Sequence, residues 1–236
     1  VQGDTYQVNI SQRFEVPLEV EPWQLYRRVR EVNPAPFAAY LQYPEVAVLS
    51  ASPEEHLRLS GRSVETRPMK GTRPRGRIPS DDRRLAMELK VSKKDRAENL
   101  MIVDLMRSDL GRVCVPGSIQ VPHLFTIEKY PAVFQMVSTV RGQVGADVDA
   151  VDVLEACFPG GSVTGAPKIR AMEIIAELEP HQRGAYSGAI GYFDFSGNMD
   201  TCVGLRTLVM KDGVAYAQAG GGVVFDSNPE EEYQET

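Results

Sequence analysis

The order of hydrophobic and polar positions predicts that strands and helices come in groups along the chain. Residues 5–16 alternate polar and β-forming side chains, which predicts a strand. Residues 22–32 begin with a proline and then carry apolar side chains at three- and four-residue spacing, which predicts a helix. The short β-like runs 37–43, 46–51 and 57–60 are separated by prolines and glycines and predict a meander.

The middle of the chain carries one long polar segment followed by strong helical periodicity. Residues 67–82 (RPMKGTRPRGRIPSDD) are rich in proline, glycine and arginine, and we expect a loop there. Loops of this length often carry function. Helical spacing resumes over 82–89 and continues through 94–110, where Gly111 is suited to end the helix.

The last third is predicted to contain two helices and then an antiparallel meander. Residues 151–158 and 167–178 have helical spacing, whereas residues 188–225 alternate around two turn sequences and include a glycine-rich break at 220–222. The final residues resemble the first turn of another helix. Strands and helices do not alternate strictly, so we predict an α+β fold with mostly antiparallel sheet over a doubly wound fold.

Composition narrows the class of protein. The 236 residues are 42% hydrophobic and 25% charged with a net charge of −6, and acidic and basic residues are interleaved, so no nucleic-acid footprint is expected. No run of about 18 apolar residues and no secretory signal is present, which favours a cytoplasmic protein without a membrane span. The three cysteines are widely spaced and are expected to be core thiols.

Both ends of the sequence have the character of cut ends, and we expect a fragment of a longer chain.

Two pairs of acidic residues have the spacing of a cation site. Asp95 and Glu98 are three residues apart on a predicted helix, as are Glu232 and Glu235 on the final turn, so each pair projects from one helix face. Mg²⁺ suits such a set, because proteins commonly hold it with one or two carboxylates. Solvated surface charges are the alternative that spacing alone leaves open.

Two further features could bind anions. The segment 159–175 (PGGSVTGAPKIRAMEII) leads a glycine-rich loop into a helix, where free backbone N–H groups favour a carboxylate or a phosphate. Its glycine spacing matches neither the phosphate loop nor the dinucleotide fingerprint, and a loop that only turns the chain remains an alternative. Arg206 lies within the β-like run VGLRTLV, either at a sheet edge or facing a pocket in which its planar fork would bind a carboxylate.

Lys70 lies among turn-forming residues in RPMKGTRP. Most such lysines are solvated. A neutral amine at this position, with its pKa lowered by burial or by nearby cations, could instead act as a nucleophile or a base.

Taken together, the motifs resemble the chorismate-binding enzyme family, which includes anthranilate, aminodeoxychorismate, isochorismate and salicylate synthases. The resemblance covers nearly the whole chain, and we expect residues 1–236 to form the catalytic, C-terminal part of a chorismate-utilising β-sandwich fold with flanking helices. It is carried, in chain order, by GDTYQVNISQRF, RPMKGTRPRG, DRAENLMIVDLMRSDLG, PGGSVTGAPKIRAMEII, GAIGYFDFSGNMDT and GGGVVFDS…EEEYQET.

The resemblance implies roles for particular residues. Glu98 and Glu235 would bind Mg²⁺ directly, and Asp95 and Glu232 would bind it through water. Glu54, kept protonated by burial, would be the general acid, and Glu55 would be solvated. The remaining implied contacts are to the two carboxylates and the ring of chorismate, from Gln7, Thr72, Ser162, Gly165, Tyr186, Arg206 and Gly222.

The same resemblance distinguishes members of the family. Water-using members carry lysine where this chain has Gln7, and ammonia users carry glutamine. Aminodeoxychorismate synthases carry the lysine found here at position 70, and anthranilate synthases carry alanine. Gln135 replaces a histidine that the latter link to pyruvate loss. The expected reaction is Mg²⁺-dependent amination of chorismate to 4-amino-4-deoxychorismate, for folate biosynthesis, with ammonia from a glutamine amidotransferase. Formation of anthranilate, or an inactive chorismate-fold module, is the alternative.

Overall fold

The computed structural model describes residues 3–234 and, for Glu231, the backbone only. The strands are β1 (Gln7–Pro17), β2 (Phe37–Gln42), β3 (Ala47–Ser52), β4 (Glu55–Ser60), β5 (Ser63–Thr66), β6 (Met69–Pro74), β7 (Gln120–Lys129), β8 (Val133–Gln143), β9 (Gly165–Ala166), β10 (Ala189–Phe193), β11 (Met199–Val203), β12 (Thr207–Lys211) and β13 (Val214–Val224). The helices are α1 (Pro22–Val32), α2 (Pro79–Val91), α3 (Lys93–Leu110), α4 (Ala150–Cys157), α5 (Lys168–Leu178) and α6 (Pro229–Gln234), with a 3₁₀ helix at Gly161–Val163.

The strands form two sheets. The first has the order β2-β3-β12-β13-β1-β9, and the second has the order β10-β11-β4-β5-β8-β6 with β7 paired to β8. The registers described for both sheets are antiparallel. The α+β prediction with mostly antiparallel sheet is therefore confirmed.

The chain divides into two compact units. The first contains the described residues up to Glu54, together with Pro159–Ile190 and the described residues from Cys202 onward. In this unit, Tyr26 of α1 packs against Leu49 and Met210 on one part of the sheet, while α5 packs its Ala171 and Ile175 against β1.

The second unit contains Glu55–Phe158 and Gly191–Thr201. Its main core forms because the apolar stripe of α3 lies against the apolar face of its sheet. Ile102 and Met106 of α3 are almost fully buried there with Leu57, Val64 and Val140.

Several helix boundaries agree with the sequence signals. Helix α1 begins at Pro22, and α3 begins after Ser92, whose hydroxyl accepts a hydrogen bond from the backbone N–H of Asp95. Helix α3 ends at Leu110, directly before Gly111, as predicted. None of the helices within residues 3–234 combines the length and the apolar composition needed to cross a lipid bilayer.

Three sequence predictions are wrong in detail. Residues 67–82 are not one loop, because Met69–Pro74 form β6, an edge strand on which proline is tolerated. The predicted strand around Arg206 is broken, and this residue has a left-handed backbone with φ 48°. The glycines 220–222 do not interrupt the sheet but lie within β13, where Gly220 approaches β1 too closely for a side chain.

Candidate active site

The first unit places a row of buried polar side chains on β1. Gln7, Asn9 and Ser11 are on the same face of the strand, and each is less than one-tenth exposed. Neither the nitrogen nor the oxygen of the Gln7 carboxamide has a hydrogen-bond partner among the described residues, and the same holds for Asn9 Oδ1. Buried amides are normally paired, so these atoms indicate a place where a polar ligand or water completes the structure.

Strand β1 lies between the two predicted carboxylate-binding segments. Val8 pairs with Gly165 of β9 on one side, and Asn9 pairs with Gly222 of β13 on the other. Two strand spacings of about 4.8 Å separate these glycine backbones by roughly 10 Å. The sheet thus brings Gly165, Gly222 and the carboxamide of Gln7 into one neighbourhood, although they are distant in sequence.

Two carbonyl groups of the glycine loop accept hydrogen bonds, one of them from β1. Thr164 O accepts a hydrogen bond from Asn9 N at 2.8 Å, and Gly160 O accepts one from the Thr164 hydroxyl at 3.0 Å. The C=O and N–H of a trans peptide point in opposite directions, so the Gly165 N–H points away from β1. A side chain at Gly165 would stand 2.1 Å from Gln7 O, and its φ of 143° also disfavours one. Ser162 in the 3₁₀ helix is also buried.

Tyr186 and Arg206 come from neighbouring segments of the first unit. The backbone N–H of Ser187 donates to Gly204 O at 2.9 Å, which joins the two segments. Tyr186 is buried, and burial raises the pKa of its hydroxyl above the usual value. The exposed Arg206 guanidinium donates to Asn33 Oδ1 at 3.1 Å. Since Arg206 is at a strand break, its side chain can take a direction that a regular strand would not give it.

Two predicted acidic residues of this unit are also described. Glu54 is buried at the end of the segment after β3, and its carbonyl accepts a hydrogen bond from Val203 N at 3.0 Å. Glu232 of α6 accepts a 2.5 Å hydrogen bond from the Ser227 hydroxyl, and a side chain at Gly221 would stand 3.1 Å from its carboxylate. Glu235 lies outside the described residues.

The second unit brings strand β6, which carries Lys70 and Thr72, close to Asp95 at the position of Gly71. Gly71, between them on β6, has φ 88°, and a side chain there would stand 2.8 Å from Asp95 Oδ1. Arg73 donates to Asp95 Oδ2 at 3.0 Å. Strand β6 therefore lies directly against the first turn of α3, the helix that also carries Glu98.

Asn99 joins α3 to the neighbouring strand β8, which also carries Gln135. The buried Asn99 side chain donates to Met136 O at 3.3 Å and accepts a 2.5 Å hydrogen bond from the Ser138 hydroxyl. Gln135 is paired with Thr72 in the β6–β8 register, and its buried Oε1 has no hydrogen-bond partner among residues 3–234. An unpaired amide oxygen next to the Lys70 strand is a second place that a polar ligand would complete.

No three acidic, histidine or cysteine side chains within the described part of the chain cluster as a complete metal site. The donor types nevertheless fit Mg²⁺. Asp95 and Glu98 are oxygen donors on adjacent turns of α3, and the ion is usually held by one or two protein carboxylates while waters and substrate oxygens supply the rest.

The expectation that Glu55 is solvated is wrong. Glu55 is 6% exposed, and its Oε1 has no hydrogen-bond partner among the described residues. Burial, together with the carboxylates of Glu65 and Asp200, raises its pKa from 4.5 to about 7, although Arg58 and Arg67 act in the opposite sense. The sequence offered no signal for this, because of two consecutive glutamates at least one ordinarily has its side chain in water.

Comparison with known proteins identifies the class. Residues 1–236 match the family described as chorismate binding enzyme, and the chain belongs to this family. It is 54% identical to aminodeoxychorismate synthase component 1 of Salmonella typhimurium, over 99% of this chain and 52% of that protein. It is 48% identical to anthranilate synthase component 1 of Bacillus caldotenax, over 99% of this chain and 46% of that protein.

The fold agrees with this family. The crystal structure of anthranilate synthase component I from Streptococcus pneumoniae superposes with a TM-score of 0.91 at 38% identity, covering 99% of this chain and 52% of that one. The predicted chorismate-utilising fold is confirmed. The chain spans about half the length of the curated relatives that it matches.

Proposed function

We propose that the protein aminates chorismate with ammonia to give 4-amino-4-deoxychorismate. The observation that carries this proposal is Lys70 on β6, the strand whose Gly71 backbone lies directly against Asp95 at the start of α3. The 54% identity to a relative named aminodeoxychorismate synthase component 1 supports the same reaction. The name of that relative also supports a second component, and we propose that it is a glutamine amidotransferase that supplies ammonia.

In the proposed mechanism, the two anion sites bind the substrate by its two carboxylates. The glycine loop at Ser162 and Gly165 takes the ring carboxylate, and Tyr186, Arg206 and the backbone at Gly222 take the enolpyruvyl carboxylate. Attachment at two points would fix the orientation of the ring relative to the nucleophile, and this orientation lowers the activation barrier. The Gln7 carboxamide, which has no hydrogen-bond partner among the described residues, lies on the strand between these sites, and in this mechanism it would hold the ammonia.

The chemical step displaces the ring 4-hydroxyl group. Unprotonated Lys70 Nζ forms a C–N bond to the conjugated ring while the C–O bond at position 4 breaks, and Glu54 donates a proton so that water leaves. Ammonia then forms a C–N bond at position 4 while the C–N bond to Lys70 breaks, and the proton lost from the new ammonium group restores the Glu54 acid. Glu98 and Glu235 would hold Mg²⁺ directly, and Asp95 and Glu232 would hold it through water, so that its positive charge would be available to neutralise the ring carboxylate.

Product analysis of the intact protein tests the proposal. Purified protein is incubated with chorismate, Mg²⁺ and an ammonium salt, and the product is identified by mass and fluorescence. Aminodeoxychorismate, which retains the enolpyruvyl group, is expected. Formation of anthranilate would contradict the proposal. Anthranilate is the second candidate product because the chain is 48% identical to an anthranilate synthase component 1. If calorimetry detects no Mg²⁺-dependent binding of chorismate, the result would instead favour an inactive module.

A further inference from the structure

The guanidinium of Arg183 joins three segments of the first unit. Its Nη1 donates to Val163 O at 2.6 Å in the glycine loop, and its Nη2 donates to Asn9 O at 2.6 Å on β1. The same group forms a two-pronged pair with Glu179 after the end of α5, through Nε at 2.9 Å and Nη2 at 2.6 Å. One side chain thus connects the loop, strand β1 and the end of the helix that follows the loop.

These contacts are costly to lose because their partners are buried. Val163 is 2% exposed and Asn9 is 5% exposed. A buried carbonyl that is left without a donor destabilises the structure. Arginine can serve all three partners at once, since its five N–H groups lie in one rigid plane, whereas the ammonium of lysine is a compact point charge.

Glu179 links the Arg183 guanidinium to a second residue of β1, Ser11. Its Oε1 accepts hydrogen bonds from Ser11 N at 2.7 Å and from the Ser11 hydroxyl at 2.8 Å. Burial alone would raise the pKa of Glu179, but the hydrogen bonds from Arg183 and Ser11 hold it below the usual value. The charged pair is therefore maintained with most of both side chains removed from water.

The same guanidinium also lies at the ring of Tyr186. The Arg183 carbon Cζ is 5.5 Å from the ring centroid, within the range of a cation–π contact. Nη1 is also 3.3 Å from the hydroxyl of Ser187, the next residue. Arg183 therefore contacts both proposed anion sites: the glycine loop through Val163 and the enolpyruvyl site through Tyr186.

We infer that Arg183 is a positioning residue that sets the separation of the two carboxylate-binding sites. It contacts no reacting atom in the proposed mechanism, and it acts by holding the Val163 carbonyl and the Tyr186 ring on a single planar group. The inference rests on the proposed function. It requires that loss of the planar fork weaken substrate binding more than it slows the chemical step, because Lys70 and Glu54 are unchanged.

The test compares Arg183→Lys with a matched substitution, Arg75→Lys, in the intact protein. Arg75 has a similar setting: it forms a two-pronged pair with Asp82, donates to Tyr130 O at 3.0 Å and lies 4.9 Å from the Phe134 ring, but it contacts neither anion site. Steady-state constants, melting temperatures and hydrogen–deuterium exchange of the peptide covering residues 158–166 are measured for both variants.

We expect Arg183→Lys to raise the KM for chorismate at least about tenfold, with kcat within about threefold of the unsubstituted protein. Exchange in residues 158–166 should accelerate in this variant only. Glu179→Gln can keep the Ser11 contacts and should therefore change the KM and the exchange rate less than Arg183→Lys does. If Arg183→Lys does not fold, Glu179→Gln is tested in its place.

An unchanged KM and unchanged exchange in Arg183→Lys would overturn the inference, as would an equal rise of KM in Arg75→Lys. If the unsubstituted protein does not consume chorismate, the proposed function fails, and the exchange comparison alone decides whether Arg183 orders the loop.

Discussion

Gly71 and Asp95 lie so close that a side-chain carbon on Gly71 would stand 2.8 Å from Asp95 Oδ1. This contact sets the distance between the strand that carries Lys70 and the helix that carries two of the proposed Mg²⁺ ligands. A glycine is required twice over, because its φ of 88° is also a backbone conformation that other residues rarely adopt.

Gly71→Ala should therefore reduce activity beyond its effect on stability. Gly61→Ala is the matched control, since Gly61 also has a positive φ, of 56°, but has no atom within 4 Å of the added carbon. Both variants should lose about 1–2 kcal/mol of unfolding free energy from backbone strain. Only Gly71→Ala should lower kcat, at least about tenfold, and raise the Mg²⁺ concentration for half-maximal rate. Equal activity of the two variants would contradict the role of this contact.

Lys70→Ala should slow aminodeoxychorismate formation at least about a hundredfold, because the covalent route is lost. Lys90→Ala, at an exposed position on α2, should leave the rate unchanged. Acid-quenched turnover of the unsubstituted protein should also show a mass increase on the peptide containing Lys70. A full rate in Lys70→Ala would rule out the nucleophilic role.

Arg206→Ala should weaken chorismate binding about ten- to hundredfold, the value of a charge-assisted contact to a carboxylate. Its melting temperature should change little, because the side chain is exposed. Isothermal calorimetry with chorismate measures the effect. Arg170→Ala on α5, which removes an ion pair with Glu173, is the control and should bind normally. Identical affinities for both variants would remove Arg206 from the proposed site.

Glu55 should make the protein less stable as the pH rises. Its folded pKa of about 7 lies above its usual 4.5, so between these values the folded protein holds a proton that the unfolded chain has lost. The resulting stability is present below about pH 4.5 and is lost as the pH rises through 7, by at most roughly 3 kcal/mol. The pKa of Asp200 is also raised by burial and acts in the same direction.

Thermal unfolding between pH 5 and pH 8 measures this effect. Glu55→Gln should flatten the decline of the melting temperature over this interval, because the amide does not titrate. Glu15→Gln, at an exposed position, should leave the decline as it is. A Glu55→Gln curve parallel to that of the unsubstituted protein would contradict the assignment.

The sequence by itself determined the elements whose signals are local. Pro22 at the start of α1 and Gly111 directly after α3 mark helix ends, and each signal depends on only a few neighbouring residues. The prediction of a mostly antiparallel sheet also followed from the sequence, because the predicted strands come in groups along the chain. The motifs likewise sufficed for the family, because an ordered series of long motifs extends over the whole chain.

Only the tertiary structure decided which residues meet. Pairing of β1 with β9 and β13 brings Gly165 and Gly222 to either side of one strand, and no local pattern contains that register. Long-range contacts also made β6 a strand in spite of its proline and glycine, and they buried Glu55, which was expected to be solvated. Register and burial depend on packing between segments that are far apart in the chain, so residue order alone leaves them open.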